Sequence, residues 1–254
     1  ISDCLVGSEM CIRDRSGDRF FSGFEPSLHS CFADEALSMK LIEKELLNLE
    51  KCFLRTKYLV TGTNVLSSSI SAETIFFLLE QAKKSEVKVV IDLNWREVFW
   101  DYSNFASDTS KKGRINLIKN FLNHAHVIKL AKEEATLFFE IENPSLISQQ
   151  MSKRPDVIIT DGKNPVSWHI NGFQGNTKIP KSQKIVDTTG AGDAFLAGLI
   201  SEFISFGYPK SELEIQACVR FASACGLLTC HGEGAIEPQP DYEKVSKFLG
   251  SLIS

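Results

Sequence analysis

Four short β-rich runs, each leading into a stretch with helical spacing, constrain this chain more than any other feature. They are Tyr58-Leu59-Val60-Thr61-Gly62, Val87-Lys88-Val89-Val90-Ile91-Asp92, Val127-Ile128-Lys129-Leu130 and Asp156-Val157-Ile158-Ile159-Thr160. Near-continuous apolar strands suit a parallel sheet buried on both faces, because the helices that connect parallel strands cover it. Strands alternating with helices throughout predict an α/β fold, a mostly parallel central sheet with helices on both faces. With 254 residues, 43% of them hydrophobic, the chain can bury a sizeable single core.

Helical spacing predicts the intervening elements. Phe32 to Leu37 opens a helix running to about Lys51 on Leu37, Leu41, Ile42, Leu46 and Leu47. Further helices are expected from Ser71 or Ala72 to Lys84, from Ile115 to Asn123, from Ala135, from Ser211 or Glu212, and from Tyr242 to Leu252. Asp18 to Phe24 and Val166 to Ile170 read as strands, the second an outer one with Trp168 and His169 as surface or packing residues.

The chemistry concentrates in Val186-Asp187-Thr188-Thr189-Gly190-Ala191-Gly192-Asp193-Ala194-Phe195. Polar, β-capable residues from Thr177 precede it, and the apolar stripe Phe195, Leu196, Leu199, Ile200, Phe203 and Ile204 follows. A Gly-Ala-Gly turn feeding a helix lets backbone approach a ligand closely. The first helical amides lack internal partners and sit at the positive end of the dipole, so an anion fits there. Asp193 lies at the same turn, where its carboxylate could take a proton from an attacking hydroxyl while the amides of 190–193 stabilise a transferred group. Anion cradle plus adjacent base is the minimum for phosphoryl transfer to an alcohol. The alternative is a plain turn with a helix-capping acid.

The string D-T-T-G-A-G-D-A-F-x-A-G closely resembles the signature of the PfkB (ribokinase-like) carbohydrate kinases, and D-x-N-x-R-x-x-x-W, from Asp92 to Trp100, resembles their fructokinase-like branch. The resemblance implies ATP-dependent phosphorylation of a sugar, with Mg2+ and K+. Fructose to fructose 6-phosphate leads. Ribose, a ketodeoxy sugar acid and a nucleoside stay open, as does a scaffold or regulatory role. It implies Asp193 as base and Gly190, Ala191 and Gly192 as anion hole. Asp92, Asn94 and Arg96 would contact substrate or phosphate, although Arg96 could instead pair with Asp92. Lys129, Glu134, Thr160, Gly162, Gly232 and Gly234 would border the nucleotide. Glu134 would also place Mg2+ through water, and Asp187 and Thr189 would border the monovalent cation. At Ala131 the family pattern has Asn or Ser, and Pro165 replaces a glycine. Asp18 to Phe24 would be the remnant of a β lid over the sugar.

A net charge of −4 gives no reason to expect nucleic acid or an anionic membrane as partner. The seven cysteines form no C-x-x-C pair, and Cys31, Cys52, Cys218, Cys225 and Cys230 lie in contexts of buried thiols. A reducing, cytoplasmic setting is expected, with a plastid as alternative. His124 and His126 read as surface or helix-end residues rather than metal ligands. Cys4 to Arg15 resembles the translation of a sequencing adapter, so residues 1–15 are read as foreign. Residues 16–254 are then the C-terminal two-thirds of a kinase whose complete form could be a homodimer. Such a fragment is expected to expose a sheet edge and part of its core.

Overall fold

The computed structural model describes residues 9–13, 19–24, 37–100, 111–181 and 185–252. Strands β1 (Glu9–Arg13) and β2 (Arg19–Phe24) form a two-stranded sheet of their own. The strand expected at Asp18 to Phe24 therefore has a partner, drawn from residues read as foreign. Next come α1 (Met39–Lys44), α2 (Leu46–Phe53), β3 (Tyr58–Gly62), a 3-10 turn (Thr63–Leu66), α3 (Ser69–Lys84), β4 (Lys88–Asp92), α4 (Glu97–Trp100) and α5 (Lys111–Leu122). Then follow β5 (Val127–Ala131), α6 (Lys132–Phe139), α7 (Pro144–Gln150), β6 (Asp156–Thr160), β7 (Val166–Ile170), β8 (Phe173–Thr177), α8 (Ala191–Ser205), α9 (Glu212–Thr229) and α10 (Tyr242–Ser251). The main sheet has six strands in the order β3-β4-β5-β6-β7-β8.

The chain divides into two compact units. Ile1–Met10, Ser22–Glu142 and Leu146–Val157 make up the first. Here β3, β4 and β5 pair in parallel, with Thr61 opposite Ile91 and Ile91 opposite Ile128. The β-branched runs are why: Val89, Val90, Ile91, Val127, Ile128 and Leu130 are all buried. β3, at one end of the strand order, is only half-buried, and Val60 is 48% exposed. Edge position overrides the buried-strand reading of this run.

The helix expected from Phe32 to Lys51 differs in the structure. Residues 32–36 lie outside the described residues, and the rest breaks into α1 and α2 at Glu45. Only Ile42 and Phe53 are buried, while Leu41, Leu46 and Leu47 are exposed. With so little apolar surface enforcing one straight face, Glu45 bends out and its carboxylate accepts the Asn48 amide at 2.8 Å. Cys52 is exposed for the same reason. Cys31 lies outside the described residues.

Cys11–Phe21, Asn143–Ser145 and Ile158–Ser254 make up the second unit. β7 and β8 form a hairpin closed by Asn171 and Gly172, both at positive φ, as a two-residue turn between twisted strands requires. Trp168 is fully buried, donates Nε1–H to the Thr177 hydroxyl, and faces Gly175. The regular strand before the signature is thus Phe173–Thr177, earlier than the polar run from Thr177 to Val186.

α8 buries Phe195, Leu196, Leu199, Ile200 and Phe203, whereas Ile204 is 49% exposed, off the packed stripe. α9 starts at Ser211, whose hydroxyl accepts the Glu214 amide. The two helices approach closely at glycines. A Cβ on Gly198 would fall 2.6 Å from Cys225 Sγ, and one on Gly226 would fall 2.8 Å from the Ala191 carbonyl. The small residues of α9 therefore bring it against the first turn of α8.

Candidate active site

In the first unit the relevant residues gather at the C-terminal ends of β4 and β5, the region where parallel sheets present their ligands. Asp92, the last residue of β4, lies in register with Lys129 within β5, and the two form a buried ion pair of 2.8 Å. Lys129 thus takes the partner that the sequence reading offered to Arg96. Arg96 is exposed and forms no ion pair with a described residue. Asn94, between them, is half-buried with φ at +42°.

Ala131 caps α6, so that helix begins at Lys132 rather than near Ala135. Glu134, in its first turn, reaches back. Its Oε2 accepts the Ala131 amide at 2.7 Å and its Oε1 accepts the Trp95 amide at 2.6 Å. Burial pushes the Glu134 carboxyl above the usual carboxylate range, Asp92 adds to this, and the two amides and Lys129 oppose it. Each oxygen keeps one lone pair beyond these bonds.

In the second unit Gly190 is the N-cap of α8, with φ at +76°. A Cβ there would lie 2.9 Å from the Ala235 side chain. Glycine is required both for the backbone angle and for this contact. The Ala191 amide donates to the Thr188 carbonyl at 3.2 Å, so it already serves the turn. The Gly192 and Asp193 amides donate to no acceptor among the described residues. Asp193 itself is exposed in the first turn of α8.

Asp187 is fully buried. Its Oδ1 accepts the Thr189 amide and hydroxyl at 3.0 and 2.7 Å, and its Oδ2 accepts the Gly234 amide at 2.9 Å. The 231–235 loop is thereby attached to the turn before α8. Gly234 has φ at +82°, and a Cβ on Gly232 would fall 2.8 Å from Pro238. Thr160 ends β6, and Gly162 lies in the turn that follows, closed by the Asn164 amide on the Asp161 carbonyl. No group of three His, Cys, Asp or Glu side chains suited to a metal occurs among the described residues.

Sequence reading overlooked Thr63. Thr63 is fully buried and its hydroxyl donates to the Leu93 carbonyl. Its one signal was position, a hydroxyl directly after a parallel strand.

The architecture is ribokinase-like. A fructokinase with bound ATP from Xylella fastidiosa superposes with a TM-score of 0.77 at 22% identity, covering 97% of this chain and 74% of that one. A putative ribokinase II from E. coli in complex with ATP and Mg2+ gives a TM-score of 0.72 at 18% identity, over 92% and 68%. The family model for pfkB family carbohydrate kinases matches residues 29–242, and the chain belongs to that family. A probable fructokinase-7 from Arabidopsis thaliana is 27% identical over 246 residues, which is 94% of this chain and 66% of the relative. A fructokinase from Vibrio alginolyticus is 26% identical over 192 residues, 73% of this chain and 58% of the relative. The chain thus spans two thirds or less of the length of these two relatives.

Proposed function

We propose that the protein is an ATP-dependent carbohydrate kinase, with fructose as the leading acceptor and fructose 6-phosphate as product. The observation that carries this reading is the first turn of α8. There an exposed carboxylate, Asp193, adjoins two unengaged amides and a glycine cap. Asp193 accepts the proton of the attacking sugar hydroxyl. The hydroxyl oxygen bonds to the γ-phosphorus as the bond to the β-phosphate oxygen breaks, and ADP leaves. The Gly192 and Asp193 amides hydrogen-bond the oxygens of the group in flight, with Gly190 and Ala191 shaping the turn.

In this reading Asp92, Asn94 and Arg96 serve substrate or phosphate. Lys129, Thr160, Gly162, Gly232 and Gly234 border the nucleotide. Mg2+ would neutralise charge on the phosphates. The residues present fit it, since each Glu134 oxygen accepts one backbone amide and keeps a lone pair with which it would hold the ion through water. Asp187 and Thr189 border a monovalent cation, to which the buried carboxylate would lend its negative charge. The fructokinase relatives support fructose, and a chloroplastic fructokinase-6 from Arabidopsis thaliana supports a plastid beside the cytoplasm as the compartment. A homodimer is part of the same proposal.

The test is ADP release with Mg2+, K+ and a panel of fructose, ribose, a ketodeoxy acid and adenosine. Turnover on one sugar that falls by about two to four decades in Asp193→Asn, with ATP binding retained, is the expected result. Wild-type-like turnover in that variant would remove Asp193 as base. No turnover on any acceptor, with ATP bound, would favour a regulatory role.

A further inference from the structure

Asp92, Leu93 and Trp95 are each held from outside the turn. Asp92 is paired to Lys129. The Leu93 amide donates to the Lys129 carbonyl at 3.0 Å, and the Leu93 carbonyl accepts the buried Thr63 hydroxyl. The Trp95 amide donates to Glu134 Oε1. The Trp95 ring packs against Trp100 and Phe138, with centroids 5.1 and 5.3 Å away. Between these anchors stands Asn94 at φ +42°, a left-handed conformation in a residue with a side chain. Asn adopts such a backbone more readily than most residues with a side chain, and the named neighbours hold it from four elements, the 3-10 turn, α4, β5 and α6.

We infer that Thr63 and Glu134 are positioning residues, a two-sided clamp that fixes the left-handed Asn94 turn and so aims Asn94 and Arg96 at ligand. The inference rests on the kinase reading above. Arg96 has no protein partner among the described residues, so its placement depends on the backbone that carries it. Asn94 and Arg96 flank Trp95, so release of either anchor lets both side chains drift. Such drift weakens binding of whichever substrate the turn meets and leaves the proton transfer at Asp193 alone. Glu134 acts here through a backbone amide, a role separate from any placement of Mg2+.

The experiment uses the full-length protein. Arg96→Ala first identifies the substrate served by the turn, as the one whose KM rises. Thr63→Val keeps shape and removes the hydroxyl. It is expected to raise that same KM by about tenfold with kcat and the Mg2+ half-saturation nearly unchanged, and Thr63→Ser should restore it. A KM within about twofold of wild type, or no rescue by serine, overturns the clamp. Should Thr63→Val fold poorly, Thr63→Ala removes the same hydroxyl without added bulk. The same KM rise with unaltered Mg2+ half-saturation supports the clamp, and a KM within about twofold of wild type overturns it. A wild-type protein without sugar-dependent turnover removes the kinase reading itself, and the clamp's ligand with it. That outcome is distinct from an active enzyme indifferent to Thr63.

Discussion

The Asp187 carboxylate accepts the Gly234 amide at 2.9 Å across 47 residues of sequence, and its other oxygen holds both polar groups of Thr189. One fully buried side chain therefore fastens the turn before α8 to the loop after α9. Removing it orphans three donors at once. Asp187→Ala should lower stability by about 2–4 kcal/mol, since bonds to a charged acceptor are worth more than neutral ones. Urea unfolding measures this, and a loss below about 0.5 kcal/mol would mean the bonds do not persist in solution.

Gly190 carries two separate constraints, and a double substitution can divide them. Gly190→Ala places a Cβ at φ +76° and drives it into Ala235. The backbone part should cost about 1–2 kcal/mol and the contact part should add to it. Ala235→Gly in the same chain should recover only the Cβ share of the contact, because the Ala235 Cα and carbonyl oxygen also lie 3.0 Å from the new Cβ, and should leave the backbone part. Additive losses, measured by urea midpoints of the two single variants and the pair, would show that the 231–235 loop does not press on the turn.

What could be read from sequence follows the range of the interactions. The β-branched runs of β4 and β5 and the stripe of α8 are local patterns, and burial of Val90, Ile128 and Leu199 matches them. The Gly190 turn was legible because backbone angle and helix start are encoded within a few residues. Pairings across strands were not. Asp92 finds Lys129 37 residues away rather than Arg96 nearby, and Thr63 reaches Leu93 over 30 residues. Edge effects were equally hidden: the apolar spacing of Leu41, Leu46 and Leu47 is helical, yet their burial depends on what lies opposite. Asp187 and Glu134 follow the same rule in part, since one amide donor of each is local, Thr189 and Ala131, while the other, Gly234 and Trp95, comes from a distant loop.

Thiol reactivity should divide along the helix pair. Burial pushes the Cys218 and Cys225 thiols up to about 11, with the buried Glu202 adding to both and Glu214 to Cys218. At about pH 8 only about one in a thousand of either would be thiolate. Cys52 is exposed on α2. Brief alkylation with iodoacetamide followed by peptide mapping should label Cys52 in the native protein and reach Cys218 and Cys225 only in denaturant. Equal labelling of Cys218 and Cys52 under native conditions would mean that α8 and α9 separate readily.

His126 should make stability fall as pH is lowered. Its own amide donates to the Val89 carbonyl at 2.8 Å, and the Val89 amide donates to His126 Nδ1 at 2.9 Å. An acceptor Nδ1 requires the neutral ring with its proton on Nε2. Burial lowers the His126 pKa, and Lys153 and Lys88 lower it further. The folded value thus lies below the unfolded value of about 6.5, and the folded state binds fewer protons in that window. Its contribution is complete above about 6.5 and is lost as pH falls from there towards the folded value. His124, lowered by burial and Lys153, adds in the same direction, with Glu80 opposing. His126→Asn keeps an acceptor oxygen near the Nδ1 position and removes the titration. Urea midpoints from about pH 8 to about pH 5 should therefore fall less steeply in the variant, by roughly the 1 kcal/mol of one lost hydrogen bond. Parallel profiles would mean that His126 keeps its bond to Val89 across the range and that the acid sensitivity belongs to other groups.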